Sequence, residues 1–277
     1  MCLNRPSNGD LEKGRECTMK LLCAVLVCSA LPMMAAQPFT GTWKVDVTTA
    51  KWSGKPSTYE LANGTYKCLT CTTPYTVKAD GKDQAISGQT GFDTESVRII
   101  DDHSVEFILK KAGKIVSQTK ETVSADGATR TSDATFYAAS SDKPITGTAT
   151  YKRVGKSVAG MHLYSGSWMT DKVLESDNGL LATYEQTADG LKMTTPTGTH
   201  FDAKPDGEEY PVSGGGAPAD AKVILKQIDA NTIEMTNKSG GKVRFTARYT
   251  VSPDGQSMTV EGHSSTGVVQ TYVARKQ

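Results

Sequence analysis

This 277-residue sequence has almost no excess of positive or negative charge, because 31 Lys+Arg oppose 30 Asp+Glu for a formal net charge of +1. Nucleic-acid binding through counterion release needs a clustered basic field, so the composition gives no reason to expect nucleic acid as a partner. A content of 37% hydrophobic and 22% charged residues also excludes a disordered acidic or basic chain. We therefore expect a folded protein of ordinary composition.

Long apolar runs are scarce as well. The run Leu21–Ala30 is too short to span a bilayer, which takes about 20 residues. Lys20 precedes it and the small residues Ala35 and Ala36 follow it, which is the pattern of a secretory signal peptide. We predict that Met19 is the true initiator, that residues 1–36 are a mis-called start plus a signal peptide, and that the mature protein is secreted or periplasmic without a membrane span.

Cysteine is nearly absent from the predicted mature chain, which keeps only Cys68 and Cys71. In an oxidising compartment such a pair is expected to form a disulfide, here a local clamp. Thiol redox catalysis needs a thiolate pKa lowered by a feature such as a helix N-terminus, and no helix is predicted nearby. A zinc site would need two further ligands. We therefore predict a structural disulfide, no metal and no cofactor.

The mature sequence contains an internal duplication. Residues 101–131 align with residues 229–259 without a gap at a constant offset of 128 residues, and Gly41-Thr42-Trp43 aligns upstream with Gly166-Ser167-Trp168. Self-similarity of this length indicates a repeated structural unit. We predict a first copy over residues 37–155, a linker over 156–164 and a second copy over 165–277.

Each copy has the sequence pattern of an all-β fold. Asn-Gly and Asp-Gly pairs such as Asn63-Gly64, Asp126-Gly127 and Asp254-Gly255 recur at short intervals and supply the positive φ angles of tight hairpin turns. Apolar and polar residues alternate between these turns, which is the strand period. Eight or nine short strands fit into each copy. Because sheet edges must be hidden, we predict two tandem antiparallel β-barrels, with β-sandwiches or open barrels as the alternative.

A short motif at both ends of both copies resembles the lipocalin and calycin barrels. The first copy has Trp43 in a Gly-x-Trp motif and Arg153 near its end, and the second copy has Trp168 and Arg275. In that superfamily the Trp closes the bottom of the barrel and a basic side chain of the last strand lies across its ring. The resemblance implies calycin-like barrels in which these four residues are structural, and a barrel interior that carries a small apolar or amphipathic ligand.

No arrangement of residues indicates catalysis. The histidines are scattered, and the segment 262–265 lacks the Gly-x-Ser-x-Gly pattern of a nucleophile elbow. We predict no catalytic residues and no enzymatic activity. Two functions remain open: a carrier of a small apolar or amphipathic ligand, and a structural or protein-interaction module of the cell envelope with filled barrels.

One strand distinguishes the two copies. Where the second copy has Phe245, Ala247 and Tyr249, the first copy has Ser117, Thr119 and Glu121. If these side chains point inward, the second interior is filled by aromatic rings and the first is more polar and roomier. We therefore predict a ligand site at Ser117, Thr119 and Glu121. The alternative is that this strand turns a polar face to solvent.

Overall fold

The computed structural model describes residues 37–89, 91–138 and 142–277. The predicted leader, residues 1–36 with Met19, lies outside the described residues. The described chain is all-β, with a single-turn helix, α1 (Asp177–Leu180), between two strands. The strands ahead of α1 are β1 (Gly41–Gly54), β2 (Ser57–Ala62), β3 (Thr65–Cys68), β4 (Tyr75–Lys78), β5 (Gln84–Ala85), β6 (Thr94–Asp101), β7 (Ser104–Lys111), β8 (Lys114–Val123), β9 (Thr129–Phe136), β10 (Ile145–Val154) and β11 (Gly166–Glu175). Those after α1 are β12 (Leu181–Gln186), β13 (Leu191–Thr194), β14 (His200–Ala203), β15 (Tyr210–Pro211), β16 (Lys222–Asp229), β17 (Thr232–Ser239), β18 (Lys242–Val251), β19 (Ser257–Ser264) and β20 (Val268–Lys276).

The strands form two antiparallel sheets of ten strands each, and each sheet is nearly closed into a barrel. The predicted all-β architecture with two barrels is confirmed, with ten strands in each sheet instead of eight or nine. Tight turns join many of the consecutive strands. In the β8–β9 turn, for example, Gly127 has a φ of 70°, and the Asp126 carboxylate accepts a hydrogen bond from the Ala128 amide. Gly255 and Asp254 repeat this arrangement in the β18–β19 turn.

The two copies exchange their first strands, β1 and β11. Strand β1 pairs with β20 and β12 of the second copy, and β11 pairs with β10 and β2 of the first. We call the sheet of β2–β11 the first barrel and the sheet of β1 and β12–β20 the second barrel. The first barrel is thus continuous in sequence from Ser57 to Glu175. The structure therefore differs from the prediction that residues 37–155 and 165–277 each close their own barrel.

The link between β1 and β2 provides a physical reason for the exchange. Only Lys55 and Pro56 separate the two strands. A two-residue hairpin turn of the common type needs positive φ at both positions, but proline holds φ near −65° and drives the residue before it towards an extended conformation. The chain therefore continues out of the second barrel into the first instead of folding back on itself.

The two barrels have cores of different chemistry. The second core is mainly aliphatic with a few aromatic rings and contains Phe39, Trp43, Tyr184, Leu191, Phe201, Val223, Leu225, Ile233, Met235, Tyr249, Val251, Met258 and Val260. The first core is smaller and richer in tyrosine, and contains Leu61, Tyr66, Cys68, Val77, Val97, Val105, Phe107, Val123, Tyr164 and Trp168. Buried polar and charged side chains lie beside this first core, which directs attention to its interior.

Candidate functional site

The strand that distinguished the two copies, β8, faces the interior of the first barrel. Ser117 is 5% and Glu121 7% exposed, and Thr119 between them is part-buried with its hydroxyl 3.4 Å from that of Ser117. Since Glu121 is buried, this face of β8 is not turned to solvent. The three residues that were predicted from the sequence to bind a ligand therefore share the inner face of one strand.

A pocket of about 320 Å³ opens beside these residues, over the inner faces of β9, β10 and β11. It is lined by Ser132, Ala134, Phe136, Gly147, Thr148, Ala149, Tyr151, Val173, Leu174 and Glu175. The predicted residues do not line it themselves. Each lies opposite a residue that does, because Ser117 pairs with Phe136, Thr119 with Ala134 and Glu121 with Ser132. The sequence prediction thus lies one strand away from the pocket.

The rim of the pocket carries an exposed aromatic ring and a carboxylate. Phe136 is 46% exposed although it is a large hydrophobic side chain, and Glu175 on β11, whose pKa is raised by burial, also lines the pocket. Leu174 pairs with Thr148, so its side chain lies on the other face of the sheet. Ala134 and Phe136 follow Ser132 on the same face of β9, so an apolar wall runs from the exposed Phe136 down to the buried Ser132.

In the second barrel, aromatic rings stand at the matching positions. The strand pairings make Phe245 the counterpart of Ser117 and Tyr272 the counterpart of Ala149. Phe245 lies so close over Gly262 that a Cβ there would be 2.2 Å from its Cζ atom. Both rings pack against the second core. Replacing these two rings by the small side chains of Ser117 and Ala149 accounts for the space in the first barrel.

A buried ion pair lies beneath the floor. Arg130 on β9 is 2% exposed, and its Nε atom lies 3.5 Å from Oε2 of Glu121. The second barrel has Met258 and Tyr249 at these two positions. Burial raises the pKa of Glu121, while Arg130 and a hydrogen bond with Ser132 act in the opposite direction. A charged pair therefore replaces an apolar contact in the interior of one barrel only.

Arg130 is surrounded by aromatic rings. The centre of its guanidinium group lies 4.1 Å from the ring of Tyr151, 5.1 Å from that of Tyr164 and 5.3 Å from those of Tyr59 and Trp168. Such cation–π contacts stabilise a cation, more so when it is desolvated. They provide no hydrogen-bond acceptor, however. Among the described residues, Nε and Nη1 of Arg130 and Oε2 of Glu121 have no hydrogen-bond partner.

Glu95 is a second buried carboxylate in the same interior. It lies on β6, is 2% exposed, and its Oε2 atom also lacks a hydrogen-bond partner among the described residues. Burial raises its pKa to about 7, and a hydrogen bond with Tyr75 opposes this shift. Its counterpart in the second barrel is Val223. The first barrel therefore encloses one cation and two carboxylates where the second encloses apolar side chains.

Sequence reasoning missed Arg130, Tyr151 and Glu95. A signal for Arg130 was present, because the constant offset of 128 residues aligns it with the apolar Met258 inside the most strongly duplicated stretch. A charged residue at a position where the other copy has a core residue indicates a buried charge. Tyr151 could not be found in this way, because its counterpart, Ala274, is known only from the strand register.

The two Gly-x-Trp tryptophans are buried and similarly held. The indole of Trp168 donates to the Tyr164 carbonyl at 2.9 Å and that of Trp43 to the Phe39 carbonyl at 2.8 Å. Arg153 lies over the ring of Trp168, 4.1 Å from its centre. The two residues belong to different sequence copies but to the same barrel. The predicted pairing of Trp43 with Arg153 is wrong because β1 lies in the other sheet.

Arg275 does not lie over an indole ring. It forms an ion pair with Asp46 at 3.1 Å, and its side chain is 60% exposed. Lys276 lies over Trp43 instead, 5.3 Å from the ring. Trp43 is directly opposite Lys276 in the β1–β20 pairing, so Arg275 points to the other face of the sheet. The predicted pairing of Trp168 with Arg275 is therefore wrong.

The Cys68–Cys71 disulfide is formed, with a Cα–Cα distance of 5.6 Å. It closes the end of β3, where Cys68 is buried and Cys71 packs against the first core. Thr73, just beyond it, bonds the neighbouring loop through the Gly88 carbonyl and Gln89 side chain. These contacts agree with a local clamp.

Three other pockets in the described chain are larger, at about 420, 450 and 530 Å³, but they are more open to solvent. A smaller pocket of about 130 Å³ lies in the second barrel beside Phe39, Leu191 and Leu225. Within the described ranges, no group of His, Cys, Asp or Glu side chains is arranged to hold a metal ion. The part of the chain that the structure describes contains no helix long and apolar enough to cross a membrane.

Comparison with known proteins adds no relative: no family model matches the chain, and no curated protein matches it.

Proposed function

We propose that this protein is an exported, calycin-like binding protein whose first barrel takes a small amphipathic ligand, while its second barrel is filled. The observation that carries the proposal is the pocket of about 320 Å³ in the first barrel, where Ser117 and Ala149 replace the Phe245 and Tyr272 of the second. Two copies of one fold thus differ where a ligand would enter.

The dimensions and chemistry of the pocket define the class of ligand. Ligand sites commonly measure about 300–1,000 Å³ and combine apolar walls with a few polar groups. This pocket is at the lower end of that range, which favours a small molecule. Its wall, with Phe136 and Val173, suits an apolar tail, and its floor, with Ser132 and Tyr151, suits a polar head.

The alternative, an envelope interaction module with filled barrels, is supported by the second barrel alone. Its core holds Val260 and, packed against it, Tyr272 at the positions of Ser132 and Ala149, which line the pocket in the first. The proposed export depends on the signal-peptide pattern of residues 1–36 and agrees with the disulfide of Cys68 and Cys71.

Native mass spectrometry of the full chain, purified without detergent from an oxidising compartment, tests the proposal. We expect an added mass that is lost on denaturation. The test variant, S117F/A134G/A149Y, places in the first barrel the aromatic side chains that fill the second. The A134G change makes room for the new phenylalanine as Gly262 does for Phe245. We expect this variant to lose the added mass.

The control is the reverse exchange, F245S/G262A/Y272A, which changes the same positions in the second barrel. It should keep the added mass, because the first pocket is untouched. An added mass that survives in the filled variant, or its absence from the wild-type chain together with no binding of an apolar fluorescent probe, would overturn the proposal. Near-ultraviolet circular dichroism confirms that each variant is folded.

A further inference from the structure

We propose that the ligand of the first barrel is an organic anion, and that it binds together with one proton, which Glu121 takes up. This inference rests on the proposed function and names the chemistry of the head group. It follows from the arrangement of Glu121, Arg130, Ser132 and Tyr151 at the floor of the pocket.

The first step is the unmet hydrogen bonding of Arg130. Arginine stays charged in proteins, and Arg130 is 2% exposed. Two of its nitrogen atoms, Nε and Nη1, have no hydrogen-bond partner among the described residues, although Nε lies 3.5 Å from Oε2 of Glu121 in the ion pair. Leaving a buried charged donor without a hydrogen bond is destabilising. These two nitrogen atoms therefore lack an acceptor in hydrogen-bonding geometry, and an oxyanion supplies several.

The second step is access. Ser132 and Tyr151 line the pocket, and each also contacts the buried pair, Ser132 through its hydrogen bond with Glu121 and Tyr151 through its ring over Arg130. A head group at the floor is thus one side chain away from the guanidinium. A cationic head would leave Nε and Nη1 of Arg130 without an acceptor, so the floor selects against it.

The third step is charge balance. The groups that face Glu121 are Arg130 on β9, Tyr151 on β10 and Tyr164 ahead of β11, and Asp133 adds weak repulsion. Tyr59 on β2 lies against Arg130. On β7, the opposite residue is the apolar Val105. Arg130 is therefore the only cation facing Glu121 among the described residues. Two anions beside one buried cation repel each other strongly in a medium of low polarity.

Protonation of Glu121 removes this repulsion. Burial already raises the pKa of Glu121, and an incoming anion raises it further. Because the complex holds one more proton than the free protein, the affinity falls as pH rises, by a factor of about ten for each pH unit above the pKa of free Glu121. A neutral ligand would show no such dependence.

A matched pair of fluorescent probes provides the test on the full chain. Anilinonaphthalene sulfonate and N-phenyl-1-naphthylamine share one aromatic skeleton and differ in the sulfonate group, which does not titrate near neutral pH. We expect the sulfonate to bind at least about tenfold more tightly, which corresponds to roughly 1.4 kcal/mol. Calorimetry in buffers of different ionisation enthalpy, repeated at several pH values, should show uptake of about one proton per bound sulfonate above the pKa of free Glu121.

Three variants assign the roles. E121Q should keep sulfonate binding but abolish the proton uptake and the pH dependence. E95Q, the control for the other buried carboxylate, should keep both. E121Q/R130M, which leaves no unpaired buried charge, should lose the preference for the sulfonate while still binding the neutral probe.

The outcomes separate this inference from the proposed function. Binding of the neutral probe alone, or sulfonate binding without proton uptake, would overturn the inference and leave a binding pocket in place. Proton uptake that persists in E121Q would likewise overturn it, and its disappearance in E95Q would assign the proton to Glu95 instead. If neither probe binds, or if the filled variant S117F/A134G/A149Y binds both as the wild type does, the proposed function fails as well.

Discussion

The two tryptophans at the barrel ends are equally buried but are held by unequal cations. Arg153 lies over Trp168 and donates to three carbonyl groups, those of Gly127, Leu163 and Ser165. Its Nη1 atom would lie 2.5 Å from a Cβ at Gly166, so this glycine is needed for the close approach. Within the part of the chain that the structure describes, Lys276 contacts Trp43 without such a network. A planar guanidinium can bond several acceptors at once, and an ammonium cannot do so in one plane.

We expect R153M to destabilise the full chain by about 3 kcal/mol, since it removes charge-assisted hydrogen bonds and a cation–π contact. K276M should cost less than about 1 kcal/mol, because it removes a cation–π contact alone. Urea denaturation measures both. R275M, which removes an exposed ion pair, is the control and should leave the unfolding midpoint unchanged. Equal losses for R153M and K276M would contradict this view of the barrel ends.

At the residue scale, sequence reasoning identified which strand makes the first interior polar, but not the cation within it. Ser117 and Glu121 were visible because β8 aligns with an aromatic strand of the second copy. The prediction that Arg275 lies over a tryptophan ring was wrong because two basic residues are adjacent at the end of β20. Only the register with Trp43 decides which of them faces inward. Register is set by pairing across the sheet and is not encoded in one strand.

The exchanged strands β1 and β11 define the units that can fold. All ten strands of the first barrel lie between Ser57 and Glu175, whereas the second barrel needs β1 from the other end of the chain. The segment 37–155 contains β1, which has no place in the first barrel, and lacks β11, which carries the buried Trp168.

We therefore expect a fragment of residues 57–175 to fold alone into the first barrel and a fragment of residues 37–155 to remain unfolded. The two fragments have the same length, so size does not distinguish them. Dispersion of amide signals in a nitrogen–proton correlation spectrum, with near-ultraviolet circular dichroism, measures the outcome. A folded 37–155 fragment would show that the first strands are not exchanged.

At the element scale, hairpin strands and turns were predictable because Asn-Gly and Asp-Gly pairs and the period of two are local signals. The exchange was not predicted, because β1 and β11 carry the same Gly-x-Trp motif and either could close either barrel. The sequence signal that distinguishes the possibilities is Pro56, which prevents a tight turn after β1.

The whole molecule joins two barrels whose interiors differ in charge. Glu95 in the first barrel has a pKa raised from the ordinary 4.5 to about 7, and Val223 is its counterpart in the second. In this range of pH the folded first barrel binds a proton that the unfolded chain releases. The stabilisation is complete below about pH 4.5 and is lost as pH rises through about 7.

We expect the free energy of unfolding of the first barrel to fall by on the order of 3 kcal/mol between these two pH values, while that of the second barrel is unaffected by this group. Hydrogen-exchange mass spectrometry at several pH values, corrected for intrinsic exchange rates, distinguishes strands β7 and β17. In E95Q, β7 should no longer lose hydrogen-exchange protection as pH rises between these values. A loss of the same size in both barrels, or one that persists in E95Q, would contradict the assignment to Glu95.

The position of the first barrel in the chain has a further consequence. Because residues 57–175 lie between β1 and β12, the first barrel is a guest inserted between the first two strands of a host, and the apparent tandem is a nested pair. Both ends of the guest are anchored to the host. Because Leu181 pairs with Lys44 and not with Gly54, a gene that linked Gly54 to Leu181 through a segment long enough to run back along β1 would encode the host alone, whereas excising either of the copies aligned in the sequence would break both barrels.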